Sequence, residues 1–260
     1  MTAMSASRPY AQRVRAARSA ETRARILASA RDLIPGAGTS LPVAAIARHA
    51  GVAVQTIYDQ FGSKGGLLIA VVNDLQQSTG LFTEFRHVFA APHGEEAMRR
   101  MIASTVGFWG RVWPYLEFLL RTRRIDPVVG AEMDFVDRLR HAHFWAIARR
   151  LEDEGRIRGG RSAEWAADQA FALTTPTVYE EVGPRRGGSV ESAIETATMA
   201  TLAVILEPGS DPSTEPPPDW AAYEGAAAER ARLGGADPAR LTPTWRSAEP
   251  SPRPEPSNQG

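Results

Sequence analysis

At 260 residues, 43% of them apolar and 23% charged, the chain is long enough for a small domain joined to a larger one. It contains no cysteine, which excludes disulfides, thiolate metal sites and cysteine nucleophiles and fits a reducing, cytoplasmic setting. No apolar run approaches the roughly 20 residues of a membrane span. The N-terminal arginines have no hydrophobic segment behind them, so neither a membrane partner nor a secretory signal is expected.

The net charge of zero conceals a polarity. Residues 1–66 hold nine basic residues against three acidic (Glu21, Asp32, Asp59), residues 67–207 sixteen against nineteen, and residues 208–260 five against eight. A basic first quarter on a mildly acidic remainder is the pattern of a polyanion-binding head on a near-neutral body. Lys64 is the only lysine in the chain.

Residues 1–18 carry Arg8, Arg13, Arg15 and Arg18 with no acid and no apolar periodicity, and read as a mobile basic arm suited to phosphates or a minor groove. A helix is expected from Ser19, with Ile26, Leu27, Ala30, Leu33 and Ile34 as its apolar stripe, stopped by Pro35-Gly36-Ala37-Gly38. The next helix runs from Pro42 to Ala50, with Val43, Ile46 and Ala47 inward and Arg48 and His49 outward. Gly51 takes the left-handed turn that ends it. A second short helix follows over Val54–Phe61, with Ile57 and Phe61 on its inner face. Small Ala47 and Gly51 permit a close crossing. This is a helix-turn-helix whose second helix is free to enter a DNA major groove. Its outward residues Val54, Gln55, Thr56, Tyr58, Asp59 and Gln60 are mostly able to hydrogen-bond, as base reading requires.

The stretches TRARILASARDLI and LPVAAIARHAGVAVQTIYDQFGSKGGLL together resemble the N-terminal domain of TetR/AcrR-type transcriptional regulators. The most specific part is Thr56, Tyr58, Phe61 and Lys64 at their spacing after the Ala47–Gly51 turn. The resemblance implies that Thr56, Tyr58 and Lys64 contact the DNA backbone. Gln55 is the foremost base reader, with Val54 and Gln60 as lesser ones and Arg23, Arg25 and Thr39 as further phosphate contacts. Two departures stand out. Gly65-Gly66 replaces a common acidic pair, so a looser helix start at Lys64 and a less certain coupling to the body are expected. Ala53 replaces the usual serine cap, at about 1 kcal/mol of helix stability.

From about Gly94 the chain turns to long amphipathic helices. Met98, Ile102, Val106 and Trp109 share one face. Pro114 is expected to kink or restart the helix that carries Leu116 to Leu120. A further helix from near Pro127 to Gly155 aligns Val136, Leu139, His143, Ile147 and Leu151. Two more follow at about 162–175 and 189–206, rich in small residues on the face of Val190, Ile194, Ala197, Thr201 and Val204. Such a pair can double across a two-fold axis. In the resembled family the last two helices form a homodimer's four-helix bundle. Residues 208–260 hold eleven of the nineteen prolines and read as a disordered tail.

Enzymatic motifs are missing. Gly36-Ala37-Gly38 lacks the third glycine of a dinucleotide loop, since Leu41 stands there. No G-x-S-x-G occurs. His141 and His143 are two residues apart, on different helix faces, so no metal site or cofactor is expected. Glu152-Asp153-Glu154 reads as a solvated helix end. His143 lies on an apolar stripe, where a satisfied core histidine is the commoner role. The resemblance implies an effector pocket among the body helices, with Trp109, Trp113, Phe118, Arg121, His143 and Phe144 as candidate lining.

The expectation is an all-α chain: arm (1–18), three-helix DNA-binding domain (19–66), helical ligand-binding and dimerisation domain (67–207), and tail (208–260). Its leading function is ligand-responsive regulation, foremost repression, by a homodimer on a palindromic double-stranded operator, released by a small-molecule effector. A helical interaction protein that keeps the helix-turn-helix only as structure, and an enzyme using the pocket, are the alternatives.

Overall fold

The computed structural model describes residues 7–37 and 40–209, together with positions 225, 229, 230 and 232. Ten α-helices follow one another among them: α1 (Ser7–Leu33), α2 (Val43–Ala50), α3 (Val54–Phe61), α4 (Lys64–Ser78), α5 (Leu81–Phe89), α6 (Gly94–Thr122), α7 (Pro127–Asp153), α8 (Ala163–Leu173), α9 (Pro176–Val182) and α10 (Val190–Ile205). The one extended pairing among the described residues is an antiparallel bridge between Ile157 and Leu206. The fold is all-α. Among the described residues, no helix is long and apolar enough to cross a membrane.

The head is α1 to α3 closed by the start of α4. Ile26, Ala30, Ile46, Ala47, Ile57, Leu67 and Leu68 meet in its core, each at most 2% exposed. Burying each of the isoleucine and leucine side chains contributes roughly 1.5–3 kcal/mol. The body is built on α6 and α7, with α8 and α10 packed against them and against each other. The expected boundary at 66/67 falls inside α4. That helix packs on α1 and α3 at one end and on α5, α6 and α7 along its length.

Several expectations are revised. The expected arm is helical over residues 7–18, which form the first turns of α1, while residues 1–6 lie outside the described residues. Alanine and arginine are strong helix formers, and Pro9 sits in the first turn, where its missing N–H costs little. Residues 12–18 show no apolar stripe because all of them but Val14 are solvent-exposed. Short helices α5 and α9 escape the periodicity reading. Pro114 does not interrupt α6, which runs unbroken over 29 residues. Its acceptor position four residues back is Gly110. A Cβ there would stand 2.5 Å from Val190, so the glycine also admits the start of α10.

The acidic run at the end of α7 is not simply a solvated face. The Glu154 carboxylate accepts from the Gly94 amide (3.1 Å to each oxygen) at the start of α6 and pairs with Arg150. Glu152 accepts from the Ala163 amide (2.9 Å) at the start of α8. Both acids offset the orphan amides of helix N-termini. Most of the expected tail, including Trp220 and Trp245, lies outside the described residues. Arg230, however, pairs with Glu164 on α8 and lies 4.9 Å from the centre of the Trp145 ring on α7.

Candidate nucleic-acid interface and body groove

Gly51 ends α2 in the left-handed conformation (φ 65°, ψ 39°). The Val52 amide then donates back to the Ala47 carbonyl at 3.0 Å, closing a Schellman-type reversal that sets the crossing of α2 and α3. Ile57 is fully buried beneath α3, so Val54, Gln55, Tyr58 and Asp59 are turned to solvent, with Thr56 half-buried. Tyr58 and Val54 are exposed large apolar side chains, free to meet sugar, phosphate or a thymine methyl. Gln55 Nε2 donates to Asp59 Oδ1 at 2.8 Å. This i,i+4 bond holds the amide over the outer face of the helix.

Not every expected DNA contact is equally available. Gln60 Nε2 donates to Ser19 Oγ (2.9 Å). Arg23 donates to the Gln60 carbonyl (3.2 Å) and stacks on Phe61, 4.4 Å from the ring centre. Gln60 and Arg23 thus tie α3 to α1 as a clamp that fixes the pose of the reading helix. Arg25 is exposed on α1. Thr39 lies outside the described residues.

Lys64 opens α4. Ala53 gives α3 no side-chain cap, as its lost hydroxyl implies. Ser63 does cap α4, its Oγ accepting from the Gly66 amide at 2.9 Å. The start of α4 is therefore not loose, and Gly65-Gly66 is the reason it couples tightly. A Cβ at Gly65 would stand 2.8 Å from Asp126 Oδ1 and 3.0 Å from the Val128 Cβ. The missing side chain lets the N-terminus of α7 press on the N-terminus of α4. Asp126 in turn caps α7 through the Val128 and Val129 amides (2.9 and 3.1 Å). A Cβ at Gly66 would fall against the Phe61 carbonyl, at the end of α3. The two glycines make one joint between reading helix, linker helix and body.

In the body, the candidate ligand residues divide. Trp109 is buried and donates through Nε1 to the Thr174 carbonyl at 3.0 Å. Phe118 and Phe144 are core side chains, 3% and 0% exposed. Trp113 packs on Tyr179, ring centres 5.2 Å apart. Arg121 is exposed and paired with Glu117. His143 sits against Phe85 and Phe89, at 5.1 and 5.9 Å, and burial lowers its pKa to about 4. Beside them Arg140 is almost wholly buried, its guanidinium 3.8 Å from the Phe171 ring centre and donating to Thr174 Oγ1 at 3.1 Å. Burial, opposed in part by Asp137, lowers its pKa to about 10.

None of the six lines the open groove of about 1100 Å³ bounded by α5, α6 and α10. Its floor is Ser104, Gly107 and Gly110, and its walls include Glu84, Arg111 and Ile194. Glu84 accepts from Ser104 Oγ (2.7 Å) and from Arg111 (3.0 Å), and Val88, Val190 and Ile194 supply apolar lining beside this polar group. Sequence reasoning missed it because α5 went unrecognised.

Residues 26–71 match the family model described as bacterial regulatory proteins, tetR family. No curated protein sequence matches the chain. Among solved structures, the chain is 19% identical to the TetR-family transcriptional regulator PfmR from Thermus thermophilus. That match covers 70% of this chain and 97% of PfmR, with a TM-score of 0.55. A TetR transcription regulator from Haloarcula marismortui is 14% identical, with coverage of 72% and 100% and a TM-score of 0.58. SmeT, solved as a complex with triclosan, is 22% identical, with coverage of 76% and 100% and a TM-score of 0.57. At these identities the structures establish the shared fold.

Proposed function

We propose, from the match of residues 26–71 to the model of the tetR family of bacterial regulatory proteins, that the chain is a dimeric, ligand-responsive repressor acting on a palindromic operator. The observation that carries the reading is α3. It is a helix pinned by fully buried Ile57, with Gln55 and Tyr58 exposed on its outer face and Lys64 at the start of the next helix. Gln55 reads a base edge, most naturally adenine, with Val54 beside it. Thr56, Tyr58 and Lys64 hold phosphates, and Arg25 adds to them. The six-charge excess of residues 1–66 supports attraction to the polyanion. Two copies joined through α8 and α10 present two such helices to half-sites about 34 Å apart. Met199, 64% exposed on α10, is an apolar contribution to that face.

SmeT binds triclosan in its solved complex. By the same logic a small amphipathic effector enters the groove between α5, α6 and α10 here. Helix α5 packs on α4, and α4 carries the head. A ligand that prefers one pose of α5 shifts the spacing of the two heads, with a coupling of ~1–3 kcal/mol.

Selection of duplexes from fragmented genomic DNA by the purified chain tests the reading, and a palindrome should be enriched. Gln55→Ala should relax preference at one position of each half-site. Lys64→Ala should weaken all duplexes alike and make the salt dependence shallower. A folded dimer that enriches nothing at low salt would overturn the reading and leave an interaction protein. Equal salt slopes for wild type and Lys64→Ala would remove Lys64 from the phosphate set.

A further inference from the structure

His141 on α7 and Glu164 and Asp168 on α8 meet at the seam between the two helices. One ligand atom from each lies within 4.8 Å of the other two. Glu164 and Asp168 are four residues apart and share a helix face. The imidazole approaches from the opposite helix, with Nε2 2.8 Å from Asp168 Oδ1. The Phe171 ring packs edge-on against it at 5.4 Å, fixing the direction in which the ring nitrogen points. His141 is 22% exposed and Asp168 57%, so the cluster is open to solutes from one side.

We propose that His141, Glu164 and Asp168 bind one divalent transition-metal ion. An imidazole with two carboxylates is a donor set that zinc and its neighbours accept, leaving a fourth position for water. Tetrahedral ligands at ~2.1 Å from zinc stand about 3.4 Å from one another. Small side-chain rotations close the cluster to that size. Metal binding at His141 Nε2 takes the neutral imidazole with its proton on Nδ1. A proton directed at Asp168 is therefore exchanged through solvent to the other ring nitrogen as the metal takes its place. The cluster already attracts a cation of the chain's own. The guanidinium of Arg230 pairs with Glu164 and stacks over Trp145. A metal ion displaces Arg230 from Glu164 and ties α7 to α8.

The test is titration of the full chain, freed of metal by chelator, with Co²⁺, followed by its visible d–d absorption and by equilibrium dialysis, then displacement with Zn²⁺. One ion per chain with a tetrahedral-type spectrum is expected, lost on addition of Zn²⁺. His141→Ala and Asp168→Asn should each weaken binding by more than about tenfold, while His49→Ala in the head should not. The ligands lie at the surface, so unchanged metal-free melting temperatures are expected and confirm that the variants fold. Arg230→Ala should bind at least as tightly as wild type, and weaker binding by it would overturn the displacement. No spectrum, or one that survives both His141→Ala and Asp168→Asn, would mean an adventitious ion only and would overturn the site.

Discussion

Gly66→Ala isolates the joint between the reading helix and the rest of the molecule. The added Cβ falls on the Phe61 carbonyl oxygen, well inside the 3.0 Å that such carbons keep from their neighbours. The obstacle is backbone at the end of α3, not the tip of a flexible side chain. Relief therefore requires α3 and α4 to separate by on the order of 1 Å. In stability the change is modest: overpacking costs about 1–3 kcal/mol, offset by about 1 kcal/mol of helix propensity gained over glycine. In recognition it is not modest. A displaced α3 loses the geometry of a base contact worth about 1–3 kcal/mol per head, a factor of roughly 5 to 150 at each half-site of the selected duplex. Fluorescence anisotropy with that duplex, beside circular dichroism and sedimentation, separates the two effects. The expected result is a folded protein of wild-type assembly state with weakened specific binding and little change on random DNA. Gly36→Ala, which meets nothing within 4 Å, is the control. Wild-type affinity in Gly66→Ala would refute the claim that this glycine sets the pose of α3.

Two further outcomes follow from neighbouring contacts. Gly65→Ala pushes on the Asp126 carboxylate and draws it from the Val128 and Val129 amides, so the α7 cap, about 1 kcal/mol, should be lost in urea denaturation. A stability equal to or above wild type would count against a close joint between α4 and α7. His143 is neutral in the folded protein down to about pH 4, while the unfolded residue titrates near pH 6.5. The unfolded state binds the extra proton between those values, so this contribution is complete above pH 6.5 and declines as the pH falls toward 4. From pH 7.5 to 5 the loss is roughly 2 kcal/mol. Across that range the urea midpoint of the wild type should fall relative to that of His143→Phe as the pH falls, and parallel curves would exclude the histidine as the source.

The head was legible because its determinants are local. Ile46, Ala47 and Ala50 lie within one turn of each other, Gly51 supplies a conformation that only glycine adopts freely, and Ile57 follows at the right interval. A linear reading finds all of these without knowing what else is nearby. The body was legible only as helices, since an apolar stripe reports that a face is buried and not what covers it. Trp109 and Phe144 carried the same signal whether they lined a cavity or filled a core. Their partners decide the matter, and Thr174 is 65 residues from Trp109. Glu154 looked like a solvated acid until the start of α6, 60 residues away, was placed against it. His141 looked unable to chelate because only its own helix was considered, and its carboxylate neighbours lie on α8. The Gly65-Gly66 pair shows the limit most clearly. Read alone, two glycines at a helix start mean looseness. With α7 and the end of α3 in place they mean that there is no room for a side chain, and the same residues change from a weak point into a close contact between head and body.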